Sequence, residues 1–226
     1  MAFMFTHCYI AEKVLGKLRK KTLLDVNNID DYYFGAIAPD IRYMNNSNRD
    51  ITHIPFGENR VLNRERFSKY SKSFLAGYET HLIVDDVWSG KESSNGESIY
   101  GVFGVNVNDI VQKFTLYGII DDYFQNKSNV LFQFGSASNI VRSDKNSLLY
   151  DLGFDLIQIT SYKSLALLYF REPGLDTFNV FNFIPPNLDE KLITHIVNQK
   201  KELKFFLNSF VRISLEKCKD SLGEGL

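Results

Sequence analysis

Apolar side chains recur at steps of three and four residues along most of the chain, the spacing that places them on one face of an α-helix. The clearest stripe predicts a helix over about 63–88. Its members are Phe67, Tyr70, Phe74, Gly77, Tyr78, His81, Val84, Asp85 and Trp88. Other stripes predict a first helix with Thr6 as its N-cap, and helices over about 105–125, 148–170 and 188–219. The pattern therefore predicts an all-α fold.

Stretches without this spacing separate the predicted helices. Pro39 disfavours helix at the residue before it, so Asp40 should lie just past a break. A loop rich in Asn and Asp is expected to carry His53. The predicted loops span about 44–60, 89–98 and 126–147, and residues 178–184 are equally compatible with a short strand. The third loop is long for a compact domain, and we expect it to border the functional site.

Size and composition indicate a single domain over residues 1–226. A formal net charge of -1 offers no sequence-wide attraction for a polyanion, so nucleic acid is not indicated as a partner. Cys8 and Cys218 alone form no disulfide framework, which fits a reducing compartment. The N-terminal residues lack a leader pattern, and no run approaches the ~18 apolar residues of a membrane span. We therefore expect a cytoplasmic protein without a transmembrane segment, whose oligomeric state the sequence does not indicate.

Two polar residues lie on the inward face of the clearest predicted helix. His81 and Asp85 are four residues apart, so their side chains point the same way about one turn from each other. A buried carboxylate needs a cation, hydrogen bonds or a raised pKa, and a metal shared with an imidazole supplies the cation. Taken alone, such a pair is more often a hydrogen-bonded structural pair.

The other histidines change this interpretation. Of the four histidines, His7 lies at the inward start of the first predicted helix and His53 in the polar loop. Asp40 follows a proline-broken turn, which presents a carboxylate rigidly. Three imidazoles and two carboxylates form a ligand set suited to Zn²⁺ or a similar ion. The fourth, His195, has the surroundings of an ordinary helix histidine.

Four segments carry a family resemblance. In order along roughly the first 90 residues they are FTHCYIAEKVL, YYFGAIAPDIRY, ITHIPF and FLAGYETHLIVDDVW. Their order and spacing resemble the zinc-dependent phospholipase C family, which shares its helical fold with single-strand-specific fungal nucleases. The resemblance implies a single compact multi-helix domain of that type and a zinc-dependent phosphodiesterase.

The resemblance also implies roles for individual residues. Asp40, His53, His81 and Asp85 would bind one zinc, and His7 would bind a second zinc bridged to the first by Asp85. Asp40 would also serve as the general base. Two adjacent cations acidify a bridging water and hold a phosphodiester for in-line attack. The expected substrate is a phospholipid head group or a small phosphate ester.

The sequence departs from the family pattern after the fourth segment. The family's third zinc needs two more histidines and a glutamate, and only His195 remains, so we expect about two ions. Asp121 and Asp122 are candidates to complete the second site. Asp121 shares the inward side of its predicted helix with Val107, Ile110, Val111, Phe114 and Tyr117. Asp86 should point elsewhere, and Cys8 should be a packed thiol.

Two alternatives stay open at this point. One is a non-catalytic helical module in which a single metal braces the fold, as a closed four-ligand site would. Helical phosphohydrolases with an adjacent His-Asp doublet are disfavoured, since the chain has no such dipeptide. Aromatic residues near the site could bind a choline-like cation or, as is more usual at helical spacing, form core. They are Tyr32, Tyr33, Phe34, Tyr43 and Tyr78.

Overall fold

The computed structural model describes residues 4–19, 28–54, 67–90, 98–128, 138–143, 146–171 and 188–223, and within these ranges it contains helices and no strand. The helices are α1 (Met4–Arg19), α2 (Ile29–Ile37), the 3₁₀ helix η1 (Ala38–Met44), α3 (Arg49–Thr52), α4 (Lys72–Trp88), α5 (Ile99–Val102), α6 (Ile110–Lys127), α7 (Ser147–Asp151), α8 (Leu156–Arg171), α9 (Glu190–Asn198) and α10 (Lys200–Gly223). The all-α prediction is confirmed.

Side-chain caps fix where several helices begin. The Asn28 side chain accepts from the amide of Asp31 at the start of α2, and Ser71 accepts from Phe74 at the start of α4. Such caps satisfy amides that the first turn of a helix leaves without an intrahelical partner. Asp109 does the same for α6.

Helix α4 lies at the centre of the core and packs most extensively against α2, with α1 and α10 also in contact. Gly35 of α2 and Gly77 of α4 lie against the backbone of the opposite helix. Because neither has a side chain, the two helices approach closely. At the C-terminal end of α4, Trp88 packs edge-on against Tyr117 and Phe210. Almost every residue of α4 is therefore buried, including the polar ones.

The first predicted helix boundary was wrong by at least two residues. Helix α1 already includes Met4, so Thr6 is not its N-cap. The Thr6 hydroxyl and amide instead donate to Asp121 of α6. The capping acceptor comes from another helix, which local sequence could not reveal.

Other predicted boundaries also differ. The helix expected from about residue 63 begins at Lys72, and residues 55–66 lie outside the described residues. The helix expected over about 148–170 is interrupted after α7, where Gly153 has φ 90°, a left-handed value that favours glycine. The helix expected over about 188–219 is divided at Gln199 into α9 and α10.

Part of the predicted inward stripe on α6 faces solvent. Val107 is 49% exposed and Ile110 is 51% exposed. Val107 precedes α6, and Ile110 is its first residue, so both lie before the part of the helix that packs into the core. Phe114 and Tyr117, further along, are buried as predicted.

The possible strand at 178–184 and half of the loop at 126–147 lie outside the described residues, and residues 138–142 of that predicted loop are helical. Among the helices that the structure does describe, none is both long and apolar enough to cross a membrane.

Candidate metal centre

Five titratable side chains meet beside the buried face of α4. His81 and Asp85 come from α4 itself, and His7 comes from the second turn of α1. Asp40 lies in η1, and His53 directly follows α3. Within the described residues, His7, His81 and Asp85 form one group with ligand atoms within 4.8 Å of one another, and Asp40, His53 and His81 form another. All five residues that the sequence singled out are thus brought together.

Asp85 lies at the middle of this cluster. Its Oδ1 is 3.4 Å from Nε2 of His7, and its Oδ2 is 3.1 Å from Nε2 of His53. The same Oδ2 accepts from Nη2 of Arg49 at 2.6 Å. Burial alone would raise the pKa of Asp85, but the positive groups and imidazoles around it, His53 and His7 among them, hold that pKa well below its usual range. Asp85 is therefore a carboxylate with both oxygens turned toward imidazoles.

His81 presents one nitrogen to the cluster. Its Nδ1 contacts the carbonyl oxygen of Ala36 at 2.9 Å, which defines Nδ1 as the donor. Nε2 then points to the carboxylates, 3.8 Å from Oδ2 of Asp85 and 4.0 Å from Oδ1 of Asp40. Burial, and then the neighbouring His7, lower the pKa of His81 well below its usual value. A neutral imidazole with a free Nε2 is the form that binds metal.

His7 lies parallel to His81, with ring centroids 3.7 Å apart and ring planes 10° apart. Its position depends on Asp121, whose carboxylate accepts from the amides of Phe5 and Thr6 in the first turn of α1. His7 follows immediately. The carboxylate therefore fixes the end of the helix that carries His7.

His53 is oriented by its own short helix. The Thr52 hydroxyl lies 3.1 Å from Nδ1 of His53, which leaves Nε2 facing Asp85. The Tyr78 hydroxyl of α4 donates to the carbonyl oxygen of Thr52. This bond attaches the short helix α3 to the long helix that carries the other ligands.

Asp40 is presented by a 3₁₀ helix with Pro39 in its first turn. The side chain is buried, and burial raises its pKa; His7 lowers that pKa and Asp85 raises it. Two carboxyl groups in one buried site compete for the available positive charge. A divalent cation would relieve that competition.

Several buried ligand atoms in the cluster have no hydrogen-bond partner among the described residues: His7 Nδ1, His7 Nε2, His81 Nε2 and Asp40 Oδ1. Buried polar atoms are nearly always satisfied, because leaving one without a partner costs roughly 1–3 kcal/mol. Imidazole nitrogens and carboxylate oxygens are the donors that zinc prefers when no thiolate is present. The residues present therefore fit a zinc site.

Asp121 and Asp122 are not part of these groups. Besides the two amides of α1, Asp121 accepts from the hydroxyls of Thr6 and Tyr169. Burial raises the pKa of Asp121 to about 6, although these hydrogen bonds lower it. Asp122 is half-buried beside it. In the structure the hydrogen bonds of Asp121 described above support α1, and none of them joins it to one of the five cluster residues.

The remaining sequence candidates lie elsewhere. His195 is exposed on α9, and Cys8 is a buried free thiol, as expected for both. Of the aromatic candidates, Tyr32, Tyr33, Phe34 and Tyr78 are fully buried in the core. Tyr43 is half-buried, and the guanidinium of Arg42 lies 4.1 Å from its ring centroid.

The sequence interpretation missed Arg49. Residues 44–60 were expected to be a loop, but Arg49–Thr52 form a helical turn capped by Asn48. This turn places Arg49 and His53 on the same side of the chain, where both contact Asp85. The spacing of four residues in RDITH was the available signal.

The described part of the chain is thus helical and carries a cluster of three histidines and two aspartates that could hold a metal ion. The model of the zinc dependent phospholipase C family matches residues 6–97. That stretch contains all five cluster residues, so the resemblance carried by the four sequence segments is confirmed there. The match supports a phospholipase-like hydrolase that depends on zinc. No curated protein and no solved structure matches the chain.

Proposed function

We propose that this chain is a zinc-dependent hydrolase of phosphate esters, a phosphodiesterase similar to phospholipase C, formed by one domain over residues 1–226. The observation that carries the proposal is the set of buried ligand atoms without partners in the cluster. A protein fold retains such atoms when a ligand satisfies them.

We assign the five residues to two zinc ions. Asp40, His53 and His81 would hold one ion, and His7 would hold the other. Asp85 has one oxygen toward His7 and the other toward His53, which suits a bridging carboxylate. When bound, zinc lowers the pKa of water and neutralises charge that develops on the phosphate.

The protein supplies a base and a dry environment. Asp40 is the base in this proposal, the role that the family resemblance implies, because its buried carboxylate lies within the cluster beside the ions that it would help to hold. A carboxylate within hydrogen-bond reach of the attacking water can accept its proton. The side chains of all five ligands are at most 6% exposed, which keeps bulk water from the cluster and strengthens its electrostatic interactions.

The substrate class follows from the family match and the site chemistry. A phosphodiester such as a phospholipid head group, or a small phosphate ester, presents oxygens to two cations. Tyr43 and Arg42 are half-buried next to Asp40 in η1 and would lie near the substrate.

A single structural metal is the second candidate function. His81 uses Nδ1 on the carbonyl oxygen of Ala36, so it can give only Nε2 to an ion, although it belongs to both ligand groups. One group is then left with two residues, which favours a single ion held by Asp40, His53, His81 and Asp85. A closed site with four protein ligands braces a fold and does not catalyse.

Metal analysis and hydrolysis of a chromogenic phosphodiester test these candidates together. We expect about two zinc ions per wild-type chain and hydrolysis that is lost in His81→Ala. His195→Ala removes an exposed histidine of α9 and should behave as wild type. One tightly bound ion with no hydrolysis of lipid, nucleotide or generic diesters would refute the enzyme and support the structural metal.

A further inference from the structure

We infer that Arg49 is the anion-binding residue of this site, taking a non-bridging phosphate oxygen of the substrate at the surface edge of the cluster. The inference rests on the proposed function and names the group that recognises the phosphate. The main observation in its favour is the contact between Nη2 of Arg49 and Oδ2 of Asp85, which are 2.6 Å apart.

The backbone fixes Arg49 beside the metal ligands. Asn48 caps the helical turn, and the amide of His53 donates to the carbonyl oxygen of Arg49 at 2.7 Å. Arg49 and His53 are thus held in one turn, and both reach the same oxygen of Asp85. A change that moves one of them would move the other.

Arg49 is more exposed than the cluster residues beside it. Its side chain is 41% exposed, whereas that of Asp85 is 1% exposed and that of His53 is 5% exposed. A guanidinium has five N–H donors, and the contact with Asp85 uses only part of them. Its Nε is buried and has no hydrogen-bond partner among the described residues. Arg49 therefore connects the buried carboxylate to solvent and retains donors for a ligand.

The charge around Arg49 also supports the inference. In the zinc-loaded site the ions would neutralise the carboxylates of Asp40 and Asp85, and an adjacent guanidinium would add positive charge that attracts an anionic phosphate. Arg49 lies close enough to both carboxylates, and to Asp86, for their charges to act on it. Arg42 lies close enough to Asp40 for its positive charge to lower the pKa of that carboxyl group. A guanidinium suits this role, because its planar fork matches the geometry of phosphate oxygens.

A purely structural salt bridge is the competing interpretation of Arg49. In that case Arg49 would only neutralise Asp85, and its removal would change folding or zinc content. Removal of such a structural Arg49 would leave the affinity of the zinc-loaded protein for phosphate unchanged. The two roles are therefore separated by measuring phosphate binding per zinc-loaded chain.

The experiment is calorimetric titration of zinc-loaded protein with inorganic phosphate, with zinc content measured on the same samples. We expect Arg49→Gln to weaken phosphate binding roughly 10- to 100-fold, the value of a charge-assisted hydrogen bond. Arg49→Lys retains the charge without the fork and should fall between the two. Arg212→Gln removes one positive charge from an exposed pair with Glu216 on α10 and should bind phosphate as wild type.

Unchanged phosphate affinity in zinc-loaded Arg49→Gln would overturn the inference, whether or not the variant holds less zinc. If Arg49→Gln does not fold, wild-type affinity in Arg49→Lys would overturn it as well. Hydrolysis by wild type together with unchanged phosphate affinity in the variants would refute this inference and leave the proposed function standing. If a zinc-loaded protein binds phosphate through Arg49 but hydrolyses no diester, the proposed function is refuted and this inference about Arg49 stands.

Discussion

The close approach of α2 and α4 positions much of the cluster, and Gly77→Ala tests it. A Cβ at residue 77 would lie 2.8 Å from the amide nitrogen of Ala36 and 2.9 Å from the carbonyl carbon of Tyr32. Real Cβ atoms essentially never come within 3.0 Å of such atoms. Because these are backbone atoms, no side chain can rotate away, and the two helices must separate.

The expected cost is the difference between two opposing effects. Overpacking a core costs about 1–3 kcal/mol, and a rigid backbone contact belongs at the upper end. Alanine in place of glycine favours the helix by about 1 kcal/mol. We therefore expect Gly77→Ala to lower the free energy of unfolding by about 2 kcal/mol or more. His81 follows one turn later and bonds to Ala36, so zinc affinity should fall with it.

Urea unfolding followed by circular dichroism, with chelator present, measures this change. Gly16→Ala is the matched control, because Gly16 lies in α1 and a Cβ there meets nothing within 4 Å. The free energy of unfolding of that control should rise by up to about 1 kcal/mol, because only the helix preference of alanine acts there. A Gly77→Ala protein as stable as wild type would refute the close packing of the two helices.

Asp121→Asn should lower the free energy of unfolding by about 1–3 kcal/mol, because the amide nitrogen of Asn would face donors from which Asp121 accepts hydrogen bonds. The zinc content should stay as in wild type. Loss of zinc from a folded variant would show that Asp121 is a ligand. Burial raises the pKa of Asp121 from 3.8 to about 6, so its stabilising contribution is complete at low pH and is lost as pH rises through 6. The difference in unfolding free energy between wild type and Asp121→Asn should thus shrink from about pH 4 to about pH 7, and a growing difference would contradict this. Cys8 and Cys218 should react with a thiol reagent only after unfolding, because burial raises the pKa of both thiols; rapid labelling of native protein would contradict their burial.

Much of the fold could be predicted from hydrophobic spacing. The stripe on α4 is long and regular, so both its helix and its buried His81 and Asp85 were predictable. The helix boundaries were less predictable, because they depend on contacts between residues that are distant in sequence. Thr6 had the residue type of an N-cap, yet the acceptor for the first turn of α1 is Asp121 of α6.

The candidate site was predictable to a similar degree. Spacing alone indicated His81 and Asp85, and the order of the family segments added His7, Asp40 and His53. Arg49 was missed, because an Asn- and Asp-rich stretch was interpreted as a loop although it contains a capped helical turn. Its partner Asp85 is 36 residues away, a separation at which no local pattern acts.

We propose above that zinc binds to the imidazoles and carboxylates of the buried cluster. X-ray absorption at the zinc edge tests it most directly, with wild type and His81→Ala compared at equal zinc loading. We predict nitrogen and oxygen ligands at about 2.0–2.1 Å with imidazole scattering that decreases in the variant. A sulfur shell at about 2.3 Å, which only Cys8 or Cys218 could supply as thiolate, or a spectrum unchanged by the substitution, would contradict the account.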